Sequence, residues 1–352
     1  MARKTNGSRG RRLNGRRIRW EDWPLDRLMA LRLCDLGLAV EGSWVEPQIE
    51  RIQQELRLRG LRFRPHFWLS DEWFSPDGVP GVAVPFYLAH PRLMRLERSQ
   101  MLEVEGGTRE ECMRLLRHEV GHAIQHAYAL HRRRRWQRMF GRASDPYPDV
   151  YRPNPASKRF VQHLDAWYAQ SHPTEDFAET FAVWLKPRSG WRQRYAGWPA
   201  LRKLELVDEL MGEIAGERPK TASRARPDAL WRTRTTLGEH YRAKRERYSV
   251  GFSNGYDRDL TRLFSASPDH RHRPTAASFL RRHRREIRER VSRWTGEHRF
   301  TLEQVLKEMT GRCRELRLRA SGPAPRLKHD FTVMLAVHTA KCLARGREWR
   351  RL

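Results

Sequence analysis

Leu116-Arg117-His118-Glu119-Val120-Gly121-His122 is the stretch on which the reading of the chain turns. On a helix, two histidines four residues apart share one face, about 6 Å apart along the axis, and can hold one metal ion. Glu119 faces the same side and can serve as general base toward a water on that ion. The flanking residues favour a helix. Gly106-Gly107 breaks the chain, and Thr108-Arg109-Glu110-Glu111 has the form of a capping box. Cys112, Leu115, Leu116, Glu119 and Ala123 then recur at helical spacing. His118 and His122 therefore border the buried face of a helix expected from Thr108 to about Leu130.

A pair of histidines leaves a third ligand to be found. His126 would stand about 12 Å along the helix from His118, too far to share the ion. The longer pattern HExxHxxGxxH is absent, because Gln125 and Tyr128 occupy the places of its glycine and last histidine. The stronger candidate lies downstream, in Tyr168-Ala169-Gln170-Ser171-His172-Pro173-Thr174-Glu175-Asp176-Phe177-Ala178-Glu179-Thr180-Phe181-Ala182. Pro173 suits the first turn of a helix. Glu175 and Glu179 then sit one turn apart beside the small residues Ala178 and Ala182, with Phe177, Phe181, Trp184 and Leu185 as apolar anchors. Two carboxylates on an otherwise apolar helix are costly to bury unless something cationic compensates them. A metal ion for Glu175, and a ligand histidine for Glu179, would do so. His163 and Asp165, a little upstream, are alternative donors.

With both motifs in view, HEVGH followed by a YAxxxPxEDFAE stretch resembles the "putative zinc-binding metallopeptidase" family of bacteria. The second motif is similar to that of lethal-factor-type gluzincins. The resemblance spans roughly residues 60 to 210. It implies a zincin-like α+β peptidase domain, mostly helical with a small sheet carrying an edge strand. It implies Zn2+ held by His118, His122 and Glu175, with Glu119 as base and Glu179 supporting a ligand histidine. Tyr168 matches a tyrosine placed near the metal in such enzymes, where its hydroxyl could stabilise an oxyanion. The implied substrate is a peptide or protein. Some members begin with a zinc ribbon built on CxxC pairs; this chain has none, so nothing of that ribbon carries over.

Composition adds a second theme. The formal charge is +28, with 70 Lys and Arg against 42 Asp and Glu. Such a field attracts anions: an acidic peptide, nucleic acid or anionic lipid. The sharpest basic run in the expected catalytic half is His131-Arg132-Arg133-Arg134-Arg135-Trp136-Gln137-Arg138, which could select acidic substrates or bind phosphate. No sequence-reading nucleic-acid module is present, so a nucleic-acid partner ranks second to peptide hydrolysis. Four scattered cysteines, Cys34, Cys112, Cys313 and Cys342, form no CxxC pair and read as buried thiols, in keeping with a reducing cytoplasm. The basic start runs into Trp20-Glu21-Asp22-Trp23 without an apolar h-region, and no stretch is long and apolar enough to span a bilayer.

In chain order, residues 1–23 read as a basic, disordered tail. Residues 24–215 are the expected peptidase domain, 216–226 a linker, and 227–352 a basic helical region. Within the first domain, Leu25 to Leu36 suggests a helix ending near Gly37, and Pro47 to Leu58 a second one capped by Gly60. Leu61 to Leu69 and Val82 to Leu88 read as strands. Pro85 cannot donate to a ladder, which places the second at an edge or a bend. By resemblance, that edge would bind a substrate backbone by strand addition; a buried core strand is the equally economical alternative. The loop 144–157, rich in Pro and Tyr, could line the cleft. Leu201 to Met211 is a further helix. Beyond residue 227, apolar stripes at Leu302, Val305, Leu306, Met309, Cys313 and Leu316, and at Leu327, Phe331, Met334 and Leu335, predict a small helical bundle. Oligomeric state is not legible.

Overall fold

The computed structural model describes residues 19–248, 256–344 and 347–348. The protein is mostly helical with a small two-stranded sheet. It divides into two compact units. One holds the chain up to Ser99 together with Val104–Tyr241; the other holds Gln100–Glu103 and Arg242–Arg347. Of the basic tail expected over residues 1–23, residues 1–18 lie outside the described residues, and 19–23 are not a loose tail: Trp20 is buried, its indole N–H donates to the Leu36 carbonyl at 2.9 Å, and its own carbonyl accepts from Arg92 at 2.7 Å.

In the first unit the chain opens with α1 (Leu25–Met29) and α2 (Glu46–Leu58). The helix expected over 25–36 stops after one turn. Its continuation pairs with a distant segment instead: Leu33 N–H donates to Thr235, Cys34 N–H to Thr233, and Leu31 accepts from Leu237 N–H, all at 2.9 Å. Nonlocal pairing of this kind outweighs local helix propensity. The end of α2 does follow the local code. Gly60 adopts φ +72, and Leu61 N–H reaches back to the Leu56 carbonyl.

Next come β1 (His66–Ser70) and β2 (Gly81–Pro85), paired in parallel with His66 opposite Gly81. Every residue of β2 is buried. On its other side Ala83 N–H donates to the Phe74 carbonyl at 2.8 Å. The expected substrate-binding edge is thus a core strand, covered at Ala83 by the chain around Phe74. Pro85 does end the strand, and the chain bends there into a short 3-10 turn.

The helices that matter follow: α3 (Pro91–Met101), α4 (Arg109–Ala127), α5 (Arg134–Phe140), α6 (Pro173–Leu185), α7 (Trp191–Arg194) and α8 (Ala200–Glu213). Thr108 caps α4 as its sequence requires, its side chain accepting from Glu111 N–H at 3.2 Å. Pro173 begins α6, and the His172 side chain accepts from Thr174 N–H at the cap. A buried, two-pronged ion pair from Arg117 to Glu55 (2.8 and 2.7 Å) ties α4 to α2. Lys203 Nζ, 2.5 Å from Asp176, ties α8 to α6.

Residues 216–228 lie against this unit. Lys220 and Thr221 N–H groups both donate to the Ala127 carbonyl at the end of α4. His66, Trp68 and Ser70, alternate side chains of β1, bond the carbonyls of Ala225, Pro227 and Asp228.

The second unit has its own core. After α9 (Leu237–Tyr248) in the chain, it is built by α10 (Asp257–Leu263), α11 (Ala276–Thr295), α12 (Arg299–Glu315) and α13 (Ala324–Ala344) around Leu280, Ile287, Leu306, Met309 and Phe331. The short strands Phe264–Ser265 and Arg319–Ala320 pair antiparallel. Among the described residues no helix is long and apolar enough to cross a membrane. Cys112 and Cys313 are buried free thiols, and Cys34 is half-buried.

Candidate metal centre

Helix α4 carries His118, Glu119 and His122, and α6 carries Glu175 and Glu179. The two helices touch at Gly121. A Cβ there would lie 2.9 Å from Ala178 Cα and 3.1 Å from the Ala178 carbonyl oxygen, closer than real side chains approach a backbone. The second apolar anchor, Phe181, closes over the same point at 3.2 Å. Glycine on one helix and alanine on the other let the backbones approach, and the acidic turn before Ala178 is carried up to the histidines.

Three side-chain atoms meet as a result. Nε2 of His118, Nε2 of His122 and Oε2 of Glu175 stand 3.1 Å from one another, pair by pair. They could hold a metal ion, and they are the one such grouping among the described residues. The dimensions fit. Four donors at about 2.0–2.1 Å around a tetrahedral ion are about 3.3 Å apart. The two-nitrogen, one-oxygen donor set suits zinc.

The chemistry of the surroundings fits as well. Glu179 Oε1 lies 2.9 Å from His118 Nδ1, and its Oε2 accepts from Leu164 N–H at 2.8 Å. A carboxylate can only accept, so His118 carries a proton on Nδ1, and its Nε2 is the atom left facing His122 and Glu175. Three electron-rich atoms this close repel one another unless a cation sits among them. Burial disfavours a charged imidazole at His118. The hydrogen bonds and negative charges of Glu175 and Glu179 outweigh it, raising the group to about 10. Glu175 is held well below the usual carboxylate range: burial opposes this, and the two histidines prevail.

Glu119 is 3% exposed. Burial raises its pKa against the pull of His118 and His122. Tyr168 is buried, its ring centroid 5.7 Å from that of His118. Burial, then the charge of Glu175, lifts its hydroxyl well above the ordinary value. Two consecutive left-handed residues, Ala166 (φ 62) and Trp167 (φ 53), precede it, and the Tyr151 hydroxyl donates to the Ala166 carbonyl. Such conformations cost about 1–3 kcal/mol each and persist where the surroundings enforce them.

The alternative donors stand apart from the cluster. His163 Nε2 bonds the Arg114 carbonyl at 3.0 Å, and burial lowers the ring to about 4. Asp165 is largely exposed near Arg114. His126 is 3.2 Å from Asp77. The basic run 131–138 is partly neutralised, since Arg133 and Arg135 pair with Glu209 and Glu213 of α8.

One contact escaped the sequence reading. The Tyr147 hydroxyl donates to Glu175 Oε1 at 2.9 Å and lies 2.6 Å from Thr174 Oγ1. Its ring stacks on His172, with centroids 3.8 Å apart. The only signal was a tyrosine between two prolines, Pro146 and Pro148, in a loop expected to line the cleft.

Neither a curated protein nor a solved structure matches the chain. Residues 102–192, about a quarter of the chain and the part that carries both motifs, match the model of the family described as "putative zinc-binding metallo-peptidase".

Proposed function

We propose that the first unit is a zinc-dependent, zincin-like peptidase of the gluzincin kind. The observation that carries this reading is the 3.1 Å triangle of His118 Nε2, His122 Nε2 and Glu175 Oε2, with Glu119 on the same helical face. When bound, zinc supplies Lewis-acid polarisation of a carbonyl and lowers the pKa of a coordinated water. The protein's own groups do the rest. Glu119 accepts a proton from the attacking water as the water oxygen bonds the scissile carbonyl carbon. It then passes that proton to the amide nitrogen as the C–N bond breaks, releasing an amine and a carboxylic acid. Burial favours this role, because a carboxylate with a raised pKa is a stronger base. The Tyr168 hydroxyl, kept protonated by its buried setting, donates to the developing oxyanion. Glu179 holds His118 in the tautomer that coordinates. The test is digestion of an unbiased peptide library by zinc-loaded protein, beside the same protein after chelation. Chelator-sensitive cleavage is expected; no cleavage by fully loaded protein would sink the reading. Glutamate-rich and neutral peptides in the same library test whether the net charge of +28 selects acidic substrates.

A second reading has one observation in its favour. Helix α11 sorts its arginines. Arg284 and Arg288, turned inward, pair with the buried Glu303. Arg281, Arg282 and Arg293 are exposed, and Trp294, next to Arg293 in the chain, is 84% exposed. An exposed guanidinium next to an open aromatic ring suits single-stranded nucleic acid. The apolar side of α11 is already buried in its own unit, so it has no free face for a lipid surface. Fluorescence anisotropy with labelled single strands across a salt series decides it. Affinity should fall steeply with salt and weaken in Arg293→Glu/Trp294→Ala; no binding at low salt removes it.

A further inference from the structure

The third ligand has a problem that the motif does not solve. Glu175 is a flexible side chain in the first turn of α6, buried, with two oxygens of which only Oε2 faces the histidines. Left alone, it could turn, or offer both oxygens to the ion. We propose that Tyr147 is the positioning residue of this ligand: by donating to Oε1 it leaves Oε2 as the single coordinating atom. This rests on the reading of the triangle as a zinc site.

The hydrogen bond from Tyr147 to the ligand has a defined direction. The carbonyl of Asp145 can only accept, and it lies 2.8 Å from His172 Nε2, so His172 carries its proton there. Its other nitrogen, Nδ1, accepts from Thr174 N–H. Glu175 as a carboxylate can only accept, so the Tyr147 proton points at Oε1. Thr174 Oγ1 lies 2.6 Å from the Tyr147 oxygen and 2.7 Å from His172 Nδ1, and its one proton serves one of these two acceptors. The Tyr147 ring lies flat on His172, 20° from parallel. Loop and helix start are thereby joined by a closed set of contacts, Asp145 to His172 to Thr174 to Tyr147, which ends on the ligand. Nothing in it needs the metal to be present, so the carboxylate is held in place before an ion arrives. Partners of ligand side chains commonly contribute 10–100-fold to metal affinity.

The test compares full-length wild type, Tyr147→Phe and Thr174→Val. Phenylalanine keeps the ring on His172 and removes only the hydroxyl; valine keeps Tyr147 and removes the hydroxyl that joins it to His172. Zinc affinity is measured by competition with a chelator of known strength, and coordination number by X-ray absorption at the zinc edge. Tyr147→Phe should weaken zinc roughly 10–100-fold and add a second carboxylate oxygen to the coordination shell. Thr174→Val should shift affinity the same way by less. The melting temperature of the chelator-treated proteins should change little, which separates positioning of the ligand from anchoring of the loop. Wild-type affinity and coordination in Tyr147→Phe would overturn the proposal while leaving the zinc site intact. If Tyr147→Phe fails to fold, unchanged affinity in Thr174→Val overturns it instead. A wild type that takes up no zinc overturns the site and, with it, the role of Tyr147.

Discussion

At the scale of single residues, the site is a contest between a proton and a metal. His118 is raised to about 10 without an ion, so at neutral pH the metal-free cluster holds a proton that zinc must displace. The sign follows directly. Ligands bind metal deprotonated, so as pH falls below that value each unit should weaken apparent zinc affinity by about tenfold. Calorimetric titration at neutral pH in buffers of differing ionisation enthalpy should detect about one proton released per zinc. Release of none would mean that His118 is already neutral in the apo protein. Glu119→Gln separates binding from chemistry. Metal content should be retained, while peptide hydrolysis drops roughly 10²–10⁴-fold. An unchanged rate would remove Glu119 from the mechanism. The cluster of His118, His122 and Glu175 was legible in the sequence, because each sits at a fixed helical spacing beside its motif partners. Tyr147 was not legible. It reaches Glu175 from a loop, and no periodicity reports which way a loop side chain turns.

At the scale of elements, two contacts set α4 in place. Gly121 packs on the backbone of Ala178, which cannot yield as a side chain would. Gly121→Ala should therefore cost about 1–3 kcal/mol despite the better helix propensity of alanine, and weaken zinc by widening the gap between α4 and α6. Denaturant titration with and without zinc reads both effects. Arg117 and Glu55 form the other contact, with side-chain exposures of 8% and 3%. Arg117→Met should lose up to about 3–5 kcal/mol by leaving a buried carboxylate with only the half-exposed Arg51, 3.8 Å away, and Glu55→Leu added to it should recover much of the loss. No recovery in the double variant would show that the partner charge is not the source. The helices α4 and α6 followed from local signals: Thr108 at a cap, Pro173 in a first turn, and the period of Leu115, Leu116 and Ala123. Elements set by distant partners did not. Residues 31–36 gave up their helix to pair with 233–237, and β2 lost its free edge to Phe74. A single-sequence pattern has no access to either partner.

At the scale of the whole molecule, the chain has two cores, and only one carries the candidate metal centre. Zinc bound by the folded state stabilises that unit by mass action, about 4 kcal/mol at a thousandfold excess over Kd. Scanning calorimetry should resolve two transitions, and a chelator should lower one and leave the other. Equal movement of both would contradict separate cores. The segment 216–228, linker-like in composition, is pinned to α4 and β1 by its carbonyls and N–H groups; composition reports side chains, and these bonds belong to the main chain. The contact at Gly121 also says something about how such a protein can change over generations. The distance that counts runs through space, from one bare α-carbon to another helix, and owes nothing to the number of residues strung between. The exposed turn at Pro155 and Ala156, between the anchors at Asn154 and Lys158, can thus gain or lose members among descendants while the ion keeps its address.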